Sequence, residues 1–302
     1  MEQFIKMVNV QSVLFLYMLV GIYCRKTGII SDEARSKLND LVIRITLPCM
    51  IFESFNMEFN MGSLRQGGFA LGVATIMAFI ALILGKLLFV RVEPRERAIL
   101  QYGTLVSNSG FAGLPVVSGA YGDEGLFLGS IFIIPTRILM WSAGISIFTK
   151  ANKKDSIKQI LLNPAIIAVE IGLIRMIFQI PLPDFLDTAL DNLGGCTSPL
   201  AMALVGAILA DVEIGNVFTI KAFWLVAVRQ FALPLLCLAA LRALGTDPLT
   251  TGVCVSMTGM PIGSTTAILA QKYGADAAFA SKCVFISTLT SLITVPILSL
   301  FL

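Results

Sequence analysis

Histidine is absent from all 302 residues. That removes Ser-His-Asp triads, Cys-His dyads, His-ligated metals and histidine proton relays together. Charge is scarce as well: Asp, Glu, Lys and Arg make up 14% of the chain, against about 25% in a soluble domain. The six cysteines, Cys24, Cys49, Cys196, Cys237, Cys254 and Cys283, stand singly with no Cys-x-x-Cys pair. They read as small buried apolar residues rather than as a disulfide or metal framework. No paired intramembrane Asp and no His-Glu metal motif is present, so the expectation is no enzyme, no catalytic or metal site and no cofactor. The net charge of +3 comes from basic residues in short loops and gives no reason to expect nucleic acid. What fills the chain instead is apolar, at 56%. Six stretches, 7–24, 66–85, 98–122, 192–210, 249–271 and 283–302, hold no charged residue. Each has roughly the 18 to 25 residues a helix needs to cross about 30 Å of hydrocarbon. The chain reads as an all-α, polytopic membrane protein whose first partner is the lipid bilayer.

Four further spans, about 36–56, 125–149, 159–180 and 219–241, carry one to four charges each and bring the expected number to ten. Loop charge orients them. The first loop holds Arg25, Lys26, Arg35 and Lys37, the third Arg91, Arg95 and Arg97, and the fifth Lys150, Lys153, Lys154 and Lys158. The even loops hold only Arg65 and, at a border, Arg242. Odd loops are therefore expected in the cytoplasm and both termini outside, in a multi-pass cell-membrane protein. Met1–Lys6 resembles the start of a signal peptide, but the long span behind it leads into more spans, so it is read as the first helix.

The longest polar stretch, Lys150–Lys158, falls at the midpoint, and the halves echo one another. Thr46-Leu47-Pro48 is matched by Thr197-Ser198-Pro199 about 151 residues later. Tyr121-Gly122-Asp123 is matched by Tyr273-Gly274-Ala275-Asp276 at an offset of 152. The expectation is two five-helix units, 1–150 and 151–302. Because five is odd, the second is inverted, an arrangement that marks secondary transporters.

The fourth and ninth spans are uncharged yet poorly suited to continuous helix. One reads Ser107-Asn108-Ser109-Gly110-Phe111-Ala112-Gly113-Leu114-Pro115, the other Ser256-Met257-Thr258-Gly259-Met260-Pro261-Ile262-Gly263-Ser264-Thr265. Proline removes a ladder donor and glycine adds backbone freedom. Both spans are therefore expected to unwind near mid-membrane, with Pro115 and Pro261 each opening a second half-helix. The alternative is a proline kink satisfied by neighbouring Ser and Thr. Backbone groups freed at that depth must line a cavity or bind something, and half-helix N-termini suit an anion. Among ionisable residues inside the spans, Arg137 is the most central. It reads either as a counter-charge for a carboxylate or as a structural partner of Glu170 or of free carbonyls. Glu170 could instead carry a proton. Arg44 and Arg175 read as snorkelling or structurally paired, and Arg229 lies in the eighth span. The substrate-binding set is thus Asn108, Ser109, Gly110, Pro115, Arg137, Met260, Pro261, Gly263, Ser264 and Thr265.

These fragments, in order, resemble the auxin efflux carrier family in its prokaryotic branch, over essentially the whole length. The resemblance rests on Gly28-Ile29-Ile30, Leu47-Pro48-Cys49-Met50-Ile51-Phe52, Gly113-Leu114-Pro115, Tyr121-Gly122-Asp123-Glu124-Gly125, Asn163-Pro164, Ile180-Pro181-Leu182-Pro183, Ser198-Pro199-Leu200-Ala201 with Gly206, Met260-Pro261 and Tyr273-Gly274. It implies ten helices in inverted repeats, similar to sodium–bile-acid symporters, with helices 1, 2, 6 and 7 as scaffold. Helices 3–5 and 8–10 form the transport part, where helices 4 and 9 cross. It also implies small organic anions as substrates: auxin in plants, malate, malonate or related carboxylates in bacteria. A homodimer through the scaffold helices is a further expectation. Two departures count against auxin itself. Asn108-Ser109-Gly110 replaces the plant Asn-Pro-Asn-Thr-Tyr motif, and 66–85 holds no carboxylate. No acidic pair appears in 98–122 or 249–271, so the coupling ion stays open. The expected function is alternating-access transport of a small organic anion, with a cation/proton antiporter or sodium-coupled symporter on the same scaffold as the alternative.

Overall fold

A computed structural model describes residues 2–149, 153–212 and 218–302, and all its regular elements are helical. The basic stretch at the chain midpoint lies partly outside the described residues. Helix α1 (Glu2–Lys26) leads through a left-handed Gly28 into α2 (Asp32–Leu41). The Ser31 hydroxyl accepts the Ala34 N–H at 3.1 Å and caps that start. A π turn over Val42–Thr46 joins α2 to α3 (Leu47–Glu53). Next come α4 (Met61–Leu88), α5 (Pro94–Leu105), a second π turn at Ser109–Gly113 and α6 (Leu114–Leu139). A third π turn, Met140–Gly144, leads to α7 (Ile145–Phe148). The second half holds α8 (Lys153–Leu161), α9 (Pro164–Phe178), α10 (Asp184–Gly195) and α11 (Thr197–Leu209). Then α12 (Ile220–Val226) runs through a π turn, Ala227–Ala232, into α13 (Leu233–Ala243). The chain closes with α14 (Pro248–Thr258), α15 (Thr265–Lys272) and α16 (Ala277–Ser299).

Three of the π turns end just before a Leu-Pro step, at Pro48, Pro115 and Pro234. Proline has no N–H and crowds the carbonyl one turn back. An extra residue in the preceding turn relieves that clash without ending the helix. Pro115 therefore does not open a half-helix, as its position in the sequence suggests. It is buried within continuous helix. The chain does reverse at Gly122, whose φ of 68° and ψ of −154° divide α6 into two limbs. Gly274, in the matching Tyr-Gly step of the second half, also has positive φ, at 71°.

Among the described residues, six helical stretches are long and apolar enough to cross a membrane: Gln3–Lys26, Met61–Leu88, Ser109–Phe148, Asp184–Leu209, Ile220–Ala243 and Ala277–Ser299. Helix α4 shows how they are sided. Ile76, Phe79, Ile83 and Leu87 are exposed, whereas Ala70, Ala74, Ala78, Ala81 and Gly85 are buried. The small residues let neighbours approach closely, and large apolar side chains face outward where lipid belongs. Between α1 and α11 the approach is closer still. A methyl group on Gly21 would collide with the Ala203 carbonyl, and one on Gly206 with the Met18 carbonyl.

Ion pairs tie particular helices together. Arg25 and Arg35 hold Asp211 at 2.8 and 2.6 Å and also reach Asp32, joining α1, α2 and the turn after α11. Arg175 bridges Glu53 at 3.1 Å and Asp187 at 2.5 Å, joining α9, α3 and α10, with its guanidinium over the Phe52 ring. Lys221 pairs with Glu96 and joins α12 to α5.

Candidate functional site

Helix α5 stops because Val106 turns to extended backbone, its N–H donating back to the Tyr102 carbonyl. Helix α14 stops at Thr258, and α15 does not begin until Thr265. The two non-helical segments run past one another antiparallel, Ser107 pairing with Ile262. The Asn108 N–H donates to the Pro261 carbonyl at 2.7 Å, and the Gly263 N–H to the Val106 carbonyl at 2.9 Å. The Ile262 N–H donates to Ser287 Oγ at 3.3 Å. Buried strand-like backbone is tolerable here because each break satisfies the other. Pro261 thus sits inside the break, and its carbonyl, not its ring, does the joining.

Past the break, the Thr266 and Ala267 N–H groups donate to the Gly263 and Ser264 carbonyls. The N–H groups of Ser264 and Thr265 are the orphan donors that a helix start leaves. Both residues, with Gly263, line a cavity of about 220 Å³. Asn108 and Arg137 line it too, together with Asn39, Leu47 and Asn163. Thr265 Oγ1 is fixed by the buried Tyr102 hydroxyl at 3.2 Å.

Arg137 carries the charge of this cavity. Its Nη1 donates to Met140 Sδ at 3.9 Å. Its Nη2 lies against Gly110 so closely that a methyl group there would collide with it. Among the described residues no carboxylate pairs with Arg137, and the lining contains no Asp or Glu. The Glu170 pairing is not formed: Glu170 is exposed on α9. Arg175 finds Glu53 and Asp187 instead, while Arg44 is exposed.

The rest of the expected set divides. Met260 and Pro261 line another space, of about 10 Å³, with Gln11, Thr288 and Ser291. Asn108 borders both spaces. Ser109 is buried in the π turn, Gly110 supports Arg137, and Pro115 lines neither space. Sequence reasoning missed Asn39, Asn163, Trp141 and Tyr102. Asn163 is readable only as a helix cap, since its side chain accepts the Ala165 N–H at 3.0 Å.

The Arg137 cavity shares Asn39, Ser264 and Ile268 with a wider one of about 500 Å³, which extends to Arg35, Asp211 and Gln271. A separate cavity of about 470 Å³ is lined by Glu53, Asp123, Asp187 and Asp191 and shares no residue with the Arg137 cavity. Among the described residues no cluster of three or more His, Cys, Asp or Glu could hold a metal ion.

The chain is similar over nearly its full length to archaeal transporters. An uncharacterized transporter of Methanothermobacter thermautotrophicus is 27% identical over 305 residues, covering 97% of each chain. One of Methanocaldococcus jannaschii is 25% identical over 306 residues, covering 96% of each. The membrane transport protein family matches residues 7–160 and 153–299. With apolar helices that cross more than once and a match across nearly the whole sequence, this chain belongs to the membrane transport protein family, that of the auxin efflux carriers.

Proposed function

We propose that this transporter moves a small organic anion, a carboxylate, by alternating access, and that the anion binds in the Arg137 cavity. One observation carries the reading: a guanidinium lines a cavity beside two orphan N–H groups and has no carboxylate partner among the described residues. Even a part-buried cation without a counter-ion is costly. An anion that neutralises it gains a charge-assisted, bidentate contact. The N-terminal end of α15 adds donors of the same sense.

The helix order supports the rest of the proposal. Ten spans follow if α2–α3, α9, α5 with the first limb of α6, and α14–α15 each cross, and five fall in each of 1–150 and 151–302. Helices α1–α3 and α9–α11 form the scaffold, laced by the Arg25, Arg35 and Arg175 ion pairs. The crossing segments belong to the part that moves. Loop charge puts both termini outside and opens the Arg137 cavity, by way of Arg35 and Asp211, toward the cytoplasm.

A proton or cation antiporter on this scaffold would need a titratable carboxylate at the crossing. The nearest candidates of the sequence do not reach it. Asp123 is exposed beside the Gly122 reversal, and Asp276 caps α16 by accepting the Phe279 N–H at 2.9 Å. Thermal unfolding of the purified protein with acetate, phenylacetate, malonate and malate tests the anion reading. At least one should raise the midpoint of the wild type and not of Arg137→Gln. No shift with any carboxylate, against a clear shift with a cation, would favour the antiporter.

A further inference from the structure

Arg229 is a buried guanidinium, separate from the proposed anion cavity and unused by it. It lies in the π turn Ala227–Ala232 between α12 and α13, 5% exposed. Among the described residues no carboxylate pairs with it. Its Nη1 donates to the Thr104 carbonyl at 3.4 Å, one residue before α5 ends, and its Nε has no partner among the described residues. The next residue, Gln230, is fully buried and donates to the Ser287 carbonyl at 2.6 Å. Ser287 Oγ in turn accepts the Ile262 N–H of the other break. A π turn narrows the angle between successive side chains. Two consecutive polar residues of one helix thus reach both halves of the crossing.

The C-terminal end of α5 carries unpaired carbonyls and the negative end of its helix dipole. In carriers with broken helices, such half-helix ends and unwound carbonyls are where a coupling cation is held. Here a guanidinium that belongs to the chain reaches that end. We propose that Arg229 stands permanently in the place of a coupling cation, so that the crossing needs no sodium ion to assemble or to bind its substrate. A fixed charge also explains how a buried arginine without a carboxylate is tolerated: carbonyls and the helix dipole take the counter-charge role. The consequence for transport rests on the carrier reading above; the consequence for cation binding does not.

The test uses the full-length protein in detergent, with thermal unfolding followed in sodium chloride and in choline chloride at equal ionic strength. The wild type should unfold at the same midpoint in both, and Arg229→Lys should behave alike. Arg229→Met strips the α5 end of its cation. It should unfold at a lower midpoint in choline and regain part of the loss in sodium. A sodium-specific rise in the wild type would overturn the proposal, as would a folded Arg229→Met that ignores sodium. If Arg229→Met does not fold, the wild type and Arg229→Lys still decide. Uptake of labelled malonate and phenylacetate into proteoliposomes separates this proposal from the reading on which it rests. Equal uptake in sodium and choline supports it, and uptake only in sodium overturns it. No uptake of either acid in either medium would count against the anion-carrier reading and leave the unfolding result standing.

Discussion

The Asn108 N–H donates to the Pro261 carbonyl at 2.7 Å, a single contact that joins the break in one helix to the break in another 153 residues away. Each segment alone would bury unpaired backbone, at a cost of several kcal/mol per group in hydrocarbon. Together they form a short antiparallel pair whose side chains and helix starts face a cavity.

Gly110→Ala places a methyl group where Arg137 Nη2 now lies. The guanidinium must move, and overpacking of this kind costs about 1–3 kcal/mol. The expected result is a folded protein with a lower melting midpoint and weakened carboxylate binding, measured by thermal unfolding with and without ligand. Unimpaired binding would mean that the position of the guanidinium does not matter.

Breaking the Arg175 bridge should destabilise the protein. Arg175→Gln leaves Glu53 and Asp187, with side chains 12% and 30% exposed, facing each other without their shared cation. Removing one partner of a buried pair costs about 3–5 kcal/mol, and partial exposure reduces that to about 1–3 kcal/mol. Denaturant titration should show the loss, and the added change Glu53→Gln should restore part of it, because it removes one stranded charge.

Two glycine-to-alanine changes should have opposite signs. Gly122 has φ of 68°, so Gly122→Ala strains the reversal by about 1–2 kcal/mol. Gly72 lies in the body of α4 with open space around its Cβ position, so Gly72→Ala should stabilise by up to about 1 kcal/mol. Parallel melting curves of the two variants check both.

The proposed orientation rests on loop charge and can be read by labelling. In a protein freed of its six cysteines, Phe185→Cys at the exposed start of α10 should react with an impermeant thiol reagent on intact cells. Lys158→Cys should react only after the membrane is opened. The reverse pattern would invert the topology.

Much of this fold is written in local chemistry, and the rest is not. Charge-free runs, the Tyr-Gly reversals and the loss of helix near Ser107 and Gly259 are each short-range signals, and each has a counterpart in the structure. The role of the prolines was misleading for a definite reason. A π turn absorbs the missing donor at Pro115, so the break falls earlier, at 106–108, where tertiary pairing with 261–263 sets it. Ion-pair partners were likewise out of reach. Arg175 meets Glu53 across 122 residues, and Arg137 packs on Gly110, relationships that no spacing rule contains. Half of the expected site residues (Asn108, Arg137, Gly263, Ser264 and Thr265) line one cavity. Met260 and Pro261 instead border the small space beside Gln11, Thr288 and Ser291.

The most direct test of the account is equilibrium binding of a labelled carboxylate, chosen from the acids that shift the melting midpoint, to wild type, Arg137→Lys and Arg137→Gln. A charge-assisted hydrogen bond is worth about 1.5–3 kcal/mol, so Arg137→Gln should weaken binding roughly ten-fold to a hundred-fold. Arg137→Lys should recover only part, since an ammonium lacks the planar fork. Adding Glu170→Gln should change nothing, because Glu170 is exposed and pairs with no described residue. A folded Arg137→Gln that binds the labelled acid as tightly as the wild type would contradict the central claim.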